Sequence, residues 1–281
     1  MVLRGARQVG KTALVKPFSK SFDQYLYLIL ELATDRKPFD DFTSLNILIQ
    51  TLFLDKNIAY NKDKTTLLFI DEIQEVPEAL NILRYFYEEE PGIHVIAAGS
   101  LLESLFDRNI SFPVGRVECL VLKPVTFHEF LKATDETAAI EQFNKIPFPD
   151  FAFEKLLGLF HWCAVIGGMP EIVNEYATTK NLTDLGGIYN SLVQAYLDDV
   201  EKYAKNDSQT NYIRHVIKLI FLEAGRRIIF EGFGKSWYGK REIGEALHTL
   251  EKALLANLIY PNTSAMLPLI PDKKNRPGYR F

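Results

Sequence analysis

The chain is poor in cysteine, methionine and tryptophan. Its 281 residues include only 2 Cys, 3 Met and 2 Trp. The two cysteines, Cys119 and Cys163, have no further cysteine or histidine at metal-ligand spacing. This usage is typical of a reduced compartment, so we expect a cytoplasmic protein.

Long apolar runs are also missing. The longest, Leu156–Met169, contains His161 and is shorter than the roughly 18 residues needed to cross a bilayer. The N-terminus shows no basic segment followed by an apolar core and a small-residue cleavage site. We therefore expect neither a membrane protein nor a secreted one.

Acidic and basic residues are unevenly distributed. The net charge is −4, but residues 1–211 hold 20 Lys and Arg against 30 Asp and Glu, a balance of −10, while residues 212–281 hold 12 against 6, a balance of +6. A basic C-terminal third fits a module that faces nucleic acid. A solvated basic face or a contact for an acidic protein explains the same charge equally well.

What the sequence does have is the alternation of an α/β protein with a parallel sheet. Hydrophobic residues make up 47% and charged residues 24%, enough to bury a core, so disorder is excluded as the overall description. The candidate strands are Met1–Arg4, Tyr25–Leu30, Thr66–Asp71, His94–Ala98 and Val117–Leu122. Helical patterns between them cover Lys11–Phe22, Ser44–Leu54 and Pro77–Glu89.

From about Thr134 onward the strand signals disappear. Helices are expected at Phe151–Ile166, Glu171–Ala177, Leu182–Lys205, Tyr212–Phe230 and Glu242–Leu255. The predicted organisation is therefore an α/β core over 1–133, a helical lid over 134–206 and a basic module over 207–281.

The first motif is a phosphate-binding loop that fits G-x-x-x-x-G-K-[ST]. It consists of Gly5, Ala6, Arg7, Gln8, Val9, Gly10, Lys11 and Thr12. The glycines allow a tight turn whose backbone N–H groups surround phosphate oxygens, and the following helix adds the positive end of its dipole. Lys11 is expected to reach the β- and γ-phosphates, and Thr12 to coordinate Mg²⁺.

The second motif is an apolar strand, 66–70, followed by two acids, Asp71 and Glu72. In P-loop ATPases an Asp in this position completes the Mg²⁺ shell, and a following Glu can act as general base toward water. Carboxylates at strand ends also serve solubility alone. No N-K-x-D element that reads guanine is present, which favours ATP over GTP.

Two further polar residues follow or begin strands. Ser100 follows the fourth strand, where it is expected to hydrogen-bond the γ-phosphate or the catalytic water, or to cap a helix with Glu103 in a capping box. Arg116 opens the fifth strand as a candidate γ-phosphate sensor, in cis or from a neighbouring subunit; an ordinary surface ion pair is the alternative.

Several strings together resemble one family: GARQVGKT, LLFIDEIQEVP, VIAAGSLLESL, GRVECLVLKPVTFHEFL and GGMPEIV. The chain is similar to prokaryotic AAA+-type ATPases whose C-terminal region is called DUF4143, close to the archaeal-ATPase branch. The resemblance implies an ATP-binding AAA+ core, a helical lid and a winged-helix module. By position it implies that Lys11 and Thr12 serve the nucleotide, Asp71 and Glu72 serve Mg²⁺ and water, and Ser100 is the polar sensor.

The chain departs from that family at both ends. Only Met1–Arg4 precede the phosphate loop, where the family has a longer first strand, and the chain stops at Phe281, about where a nuclease-like domain commonly begins. We therefore expect a truncated chain without nuclease activity, in which the short first strand affects hydrolysis more than nucleotide binding.

The C-terminal third resembles a winged helix-turn-helix, in which basic side chains contact DNA phosphates. The candidate contacts are Arg226, Arg227, Lys235, Lys240 and Arg241. Packing on the ATPase core or on a partner protein is the alternative role of such a module.

These observations predict an Mg²⁺-dependent ATPase of AAA+ type, in which Lys11 and Glu72 act on the phosphates and on water. The partners are ATP and either double-stranded DNA or a protein, and oligomers are compatible with the sequence. The alternative is a nucleotide-gated interaction switch that hydrolyses ATP poorly. His128, His161, His215 and His248 do not cluster, so no metal beyond Mg²⁺ is expected.

Overall fold

A computed structural model describes residues 1–99, 116–204 and 206–260. The chain divides into two compact units, Met1–Asp184 and Leu185–Phe281. Among the helices in the described ranges, none is long and apolar enough to cross a lipid bilayer.

The first unit is built on a sheet whose described strands all run parallel. They are β1 (Val2–Arg4), β2 (Gln24–Ile29), β3 (Thr66–Asp71), β4 (Ile93–Gly99) and β5 (Cys119–Val121). Their order across the sheet is β2-β3-β4-β1-β5. The parallel α/β sheet that the alternation of patterns predicts is confirmed, and with it the fold of a P-loop NTPase that the phosphate-loop motif predicts.

Strand β3 lies in the interior of the sheet, because all six of its residues are buried. This is why its sequence is continuously apolar before Asp71, as in strands covered on both faces. In register, Ile29 of β2 lies opposite Asp71, and Arg4 of β1 lies opposite Gly99 of β4. The carboxyl ends of these strands therefore meet at one edge, where open α/β sheets bind ligands.

Helices cover the sheet on its two faces. They are α1 (Lys11–Phe18), α2 (Ala33–Asp40), α3 (Leu45–Asp55) and α4 (Ala79–Glu89). Helix α3 begins where Ser44 accepts a hydrogen bond from the backbone of Ile47, an N-cap that satisfies one otherwise free donor. Helix α2 has no counterpart in the predicted elements, because its sequence buries only Asp35 and Phe39 and shows little apolar periodicity.

Among the described residues, four more helices follow in the first unit: α5 (Phe127–Ala133), α6 (Thr137–Phe143), α7 (Phe153–Ile166) and α8 (Pro170–Thr179). Helix α5 starts with a capping box, in which Thr126 and Glu129 each bond to the other's backbone N–H. Phe130 in the same helix is buried at 1% exposure. Phe127 and Phe130, which belong to the string GRVECLVLKPVTFHEFL, therefore have a packing role at the start of a helix.

The second unit contains α9 (Leu185–Tyr203), α10 (Asp207–Ile220) and α11 (Lys240–Lys252). Its core lies between α10 and α11, where Ile213, Val216, Ala246 and Leu247 are each fully buried. Within the described part of this unit, strand-like residues are confined to single bridge positions at Ile228 and Ile259.

The helix predicted over Tyr212–Phe230 is wrong at both ends. Helix α10 begins five residues earlier, at Asp207, where Asn206 caps it by accepting from the backbone of Gln209, and it ends at Ile220. A short 3₁₀ turn follows, and Gly225 then takes a φ of 74°, which no continuing helix allows.

The compact units also group the helices differently from the three predicted segments. Helices α6 to α8 belong to the first unit and α9 to the second, because the boundary between the compact units falls between Asp184 and Leu185. The organisation into an α/β core, a helical lid and a basic module remains a prediction.

Candidate nucleotide-binding site

The phosphate loop connects β1 to α1 at the carboxyl edge of the sheet. Gly10 has a φ of 97° and Gln8 a φ of 63°, so the chain turns sharply before α1 begins at Lys11. Gly5 lies so close to its surroundings that a Cβ there would be 2.7 Å from the backbone oxygen of Leu122. Of the two fixed glycines of the motif, Gly10 therefore permits the sharp turn and Gly5 permits the close approach of the backbone at Leu122.

Lys11 is the buried cation of the loop. Its side chain is 7% exposed, and Nζ donates to the carbonyl oxygens of Gly5 and Ala6, each at 3.0 Å. Burial lowers its pKa below the usual 10.5, although the carboxylates of Glu72 and Asp71 partly offset this. A desolvated ammonium held only by carbonyls interacts strongly with an arriving anion, because little water screens the charge.

Thr12 and Asp71 join the loop to the end of β3. The hydroxyl of Thr12 donates to Oδ2 of Asp71 at 2.7 Å, and Asp71 is buried at 6% exposure. Tyr27 on β2 donates to the same oxygen at 3.3 Å. Burial, and then the Asp71 carboxylate, raise the pKa of Tyr27 to about 12, so its phenol remains a donor at neutral pH.

The hydroxyl of Thr12 and the carboxylate of Asp71 fit an Mg²⁺ ion that is bound together with nucleotide phosphates. Mg²⁺ takes one or two protein oxygens and completes its shell with phosphates and water. Among the described residues there is no group of three or more His, Cys, Asp or Glu side chains that could hold a metal alone. The pair of Thr12 and Asp71 matches an ion shared with phosphates rather than an all-protein cage.

Glu72 follows Asp71 in a left-handed conformation, with a φ of 54°. The side-chain amide of Gln74 donates to its carboxylate. Burial raises the pKa of Glu72 above its usual 4.5; the hydrogen bond from Gln74 opposes this rise, and Asp71 adds to it. A carboxylate with a raised pKa is a stronger base than an exposed glutamate.

The structure therefore brings together four of the predicted site residues: Lys11, Thr12, Asp71 and Glu72. Ser100 lies outside the described residues. Sequence reasoning missed Tyr27 and Gln74. Tyr27 pairs in register with Phe69, two residues before Asp71. The alternating pattern of the strand beside β3 could therefore have indicated that Tyr27 lies near Asp71.

Arg116 is not brought to this edge. It precedes β5 and thus lies at the amino end of the sheet, opposite the end at which the phosphate loop follows β1. Its guanidinium forms an ion pair with Glu88 on α4 at 2.6 Å, and both side chains are about half exposed. This is the geometry of the surface ion pair that we considered as its alternative role.

Helix α8 approaches the phosphate loop. Gly168 packs so closely that a Cβ there would lie 2.6 Å from the backbone oxygen of Val125, and its own carbonyl accepts from the N–H of Val125 at 2.7 Å. Two residues on, Pro170 Cγ would be 3.6 Å from a methyl group at Gly10. The Gly-Gly-Met-Pro string thus fixes the start of α8 against the loop.

The candidate DNA contacts all lie in the second unit. We call residues 226–241 the basic segment, because it carries five Lys and Arg against one acid, Glu231. The five basic residues are all exposed: Arg226, Arg227, Lys235, Lys240 and Arg241. Arg241 also forms an ion pair with Glu245 at 2.9 Å.

Residues 1–131 match the AAA domain family. This match fits the parallel sheet and the loop geometry, which give the N-terminal part the α/β fold of a P-loop NTPase. Residues 158–276 match a domain family of unknown function, DUF8612. Membership of the DUF4143 group remains a prediction.

Among curated proteins, the chain is similar to an uncharacterized protein of Methanocaldococcus jannaschii, at 26% identity over 230 residues. The match covers 78% of this chain and 46% of that protein, so the chain spans less than half of the relative's length.

Two solved structures from Aeropyrum pernix are also similar. The ORC2 protein in ADPNP-ADP complexes has a TM-score of 0.46 at 12% identity, covering 92% of this chain and 80% of that one. The ORC1 protein in complex with DNA has a TM-score of 0.33 at 16% identity, covering 90% and 77%. At these scores the likeness does not identify a shared function.

Proposed function

We propose that this protein binds ATP with Mg²⁺ and hydrolyses it. The observation that carries the proposal is the hydrogen bond of 2.7 Å between Thr12 and Asp71. It joins the end of the phosphate loop to the end of β3, next to a buried lysine whose Nζ donates to the backbone carbonyls of Gly5 and Ala6. Loop amides, cation and oxygen ligands thus converge where a triphosphate would lie.

Each side chain then has a distinct role. Lys11 exchanges its carbonyl contacts for phosphate oxygens, and Thr12 and Asp71 supply oxygens to Mg²⁺. When bound, Mg²⁺ neutralises the charge of the phosphates and orients them. Glu72 accepts a proton from the attacking water, and Gln74 positions the Glu72 carboxylate through its amide.

ATP should stabilise the folded protein, because a ligand that binds only the native state adds RT ln(1 + [L]/Kd) to the free energy of unfolding. At an ATP concentration of 100 Kd the gain is about 2.7 kcal/mol. Differential scanning calorimetry with Mg²⁺ and either ATP or GTP measures it, and we expect the larger shift with ATP. An unchanged unfolding temperature at millimolar ATP would contradict the proposal.

The basic segment is proposed to associate with DNA. It carries four surplus positive charges on exposed side chains, of which Arg241 pairs with Glu245. Each contact between a basic side chain and a DNA phosphate releases counterions. It adds about −0.9 to the slope of the logarithm of the binding constant against the logarithm of the salt concentration.

The variant Lys240→Ala/Arg241→Ala should therefore weaken duplex binding and make that slope shallower by about 1.8. Fluorescence anisotropy at several salt concentrations measures both quantities. Lys218→Ala, which removes an exposed lysine of α10 outside the basic segment, is the matched control and should leave the slope unchanged. Wild-type protein without duplex affinity at low salt would overturn the DNA role.

One observation favours the alternative of a switch that hydrolyses ATP poorly. The hydrogen bond from Gln74 opposes the rise in the pKa of Glu72, which makes the carboxylate a weaker base than burial alone would. In that case ATP binding alone would change the protein's interactions, and turnover of the wild-type protein would decide between the two functions.

A further inference from the structure

The most exposed large apolar side chain of the described residues belongs to Trp237, in the basic segment. Its relative exposure is 103%, so no described residue covers the indole ring. The other tryptophan, Trp162, is 46% exposed on α7. An apolar ring in water is unfavourable, and tryptophan is enriched at surfaces that a partner covers.

The loop that carries Trp237 is held firmly on both sides of it. Before it, Phe233 is buried at 4% exposure, and its carbonyl oxygen lies 2.9 Å from Nε2 of His215. After it, the ring of Tyr238 packs edge-on against His215 at 5.4 Å and Tyr212 at 6.1 Å. Trp237 is therefore presented outward by a fixed frame.

The backbone closes this frame as well. The N–H of Gly232 donates to the carbonyl of Tyr238 at 3.1 Å, which ties the two arms of the loop together. On the far side, the N–H of Gly239 donates to Glu242 at 2.7 Å as α11 begins. A side chain held in one place loses little conformational freedom when it binds, so such an anchor binds efficiently.

Positive charges surround Trp237 along the chain. Lys235 lies two residues before it and Lys240 three residues after it, so each Cα is within about 11 Å of that of Trp237, at about 3.8 Å per residue. Both are exposed. An aromatic ring between cations matches a nucleic acid strand, whose phosphates meet the cations while a base stacks on the ring.

We propose that Trp237 stacks on an unpaired base of bound DNA, and that the basic segment therefore prefers DNA with unpaired bases to an intact duplex. This inference rests on the proposed DNA association of the same segment. In an intact duplex both faces of each base are covered by its neighbours, so a ring gains full contact only where a base has left the stack. The cations supply affinity for any DNA strand, and Trp237 supplies the preference.

The test uses the full chain and three labelled oligonucleotides: a single strand, a perfect duplex, and the same duplex with a central run of mismatches. Anisotropy should show tighter binding to the single strand and the mismatched duplex. Trp237→Ala should weaken binding to these two by about 5- to 150-fold, the range for loss of one stacked base. The salt slope should stay unchanged, because the indole contacts no phosphate.

Trp237→Phe keeps a ring and should retain most of the affinity, which distinguishes stacking from a merely structural effect. In a Trp162→Phe background Trp237 is the only tryptophan, and its fluorescence should be quenched by DNA with unpaired bases. Circular dichroism verifies that each variant is folded, as expected for a substitution at a fully exposed position.

The outcomes separate the two proposals. Suppose that Lys240→Ala/Arg241→Ala weakens DNA binding, but that Trp237→Ala keeps the wild-type affinity and DNA does not quench Trp237 fluorescence. This result would support the DNA association and overturn the stacking role. No binding of any oligonucleotide at low salt would overturn both. A blue shift of Trp237 emission that grows with protein concentration, without DNA, would indicate contact with a second copy and would also overturn the stacking role.

Discussion

Replacement of Lys11 by alanine should weaken ATP binding by at least about 100-fold. The ammonium is buried, and hydrogen bonds from a charged donor are worth about 1.5 to 3 kcal/mol each, so the loss of contacts to two phosphates exceeds the 2.7 kcal/mol of a 100-fold change. Titration of a fluorescent ATP analogue at constant Mg²⁺ measures the effect.

Lys16→Ala is the matched control. Lys16 lies on the same helix α1 but is exposed, so its removal should leave the affinity within a factor of two or so, as for a screened surface charge. Circular dichroism of both variants establishes that the helix is intact. Equal affinities for Lys11→Ala and the wild-type protein would show that the loop does not hold the nucleotide.

Replacement of Glu72 by glutamine should leave ATP bound and lower its turnover by about 10²- to 10⁴-fold, the usual contribution of a general base. Glutamine has nearly the same shape and still accepts from Gln74, but it cannot take a proton from water. Phosphate release under saturating ATP gives the rate. Glu78→Gln, which changes an exposed acid just before α4, should turn over like the wild-type protein.

The pH profile gives a second readout for Glu72. Because burial raises its pKa above 4.5, the carboxylate takes up a proton at a higher pH than an exposed glutamate does. Wild-type turnover should therefore fall as the pH drops through that raised pKa, while Glu72→Gln shows no such step. A wild-type rate no higher than that of Glu72→Gln would favour the poorly hydrolysing switch.

The sheet and the phosphate loop could be predicted from sequence because each depends on local patterns. Strand β3 was predicted with its observed bounds, since residues 67–70 are continuously apolar and the two acids Asp71 and Glu72 mark its end. The loop depends on fixed glycines whose turn and close approach the structure shows. In both cases the chemistry that defines the element lies within a few consecutive residues.

Other features depend on contacts that local patterns do not contain. The predicted end of α10 was wrong because its apolar pattern continues through Ile228, while Gly225 turns the chain away. The position of Arg116 depends on strand order, which places its end of β5 opposite the phosphate loop. Gln74 was missed because its role appears only once Glu72 adopts a left-handed conformation.

Pro170 at the beginning of α8 lies close to Gly10 of the phosphate loop, so that a methyl group added at Gly10 would be 3.6 Å from Pro170 Cγ. If nucleotide binding moves the loop, the packing of α8 against the loop changes as well. The preferred position of α8 then depends on whether nucleotide is bound. Linkage is reciprocal, so anything that fixes α8 in its nucleotide-bound position tightens nucleotide binding by the same factor by which the nucleotide favours that position. A partner that binds α8 in that position would thereby raise the affinity for ATP without contacting the phosphates.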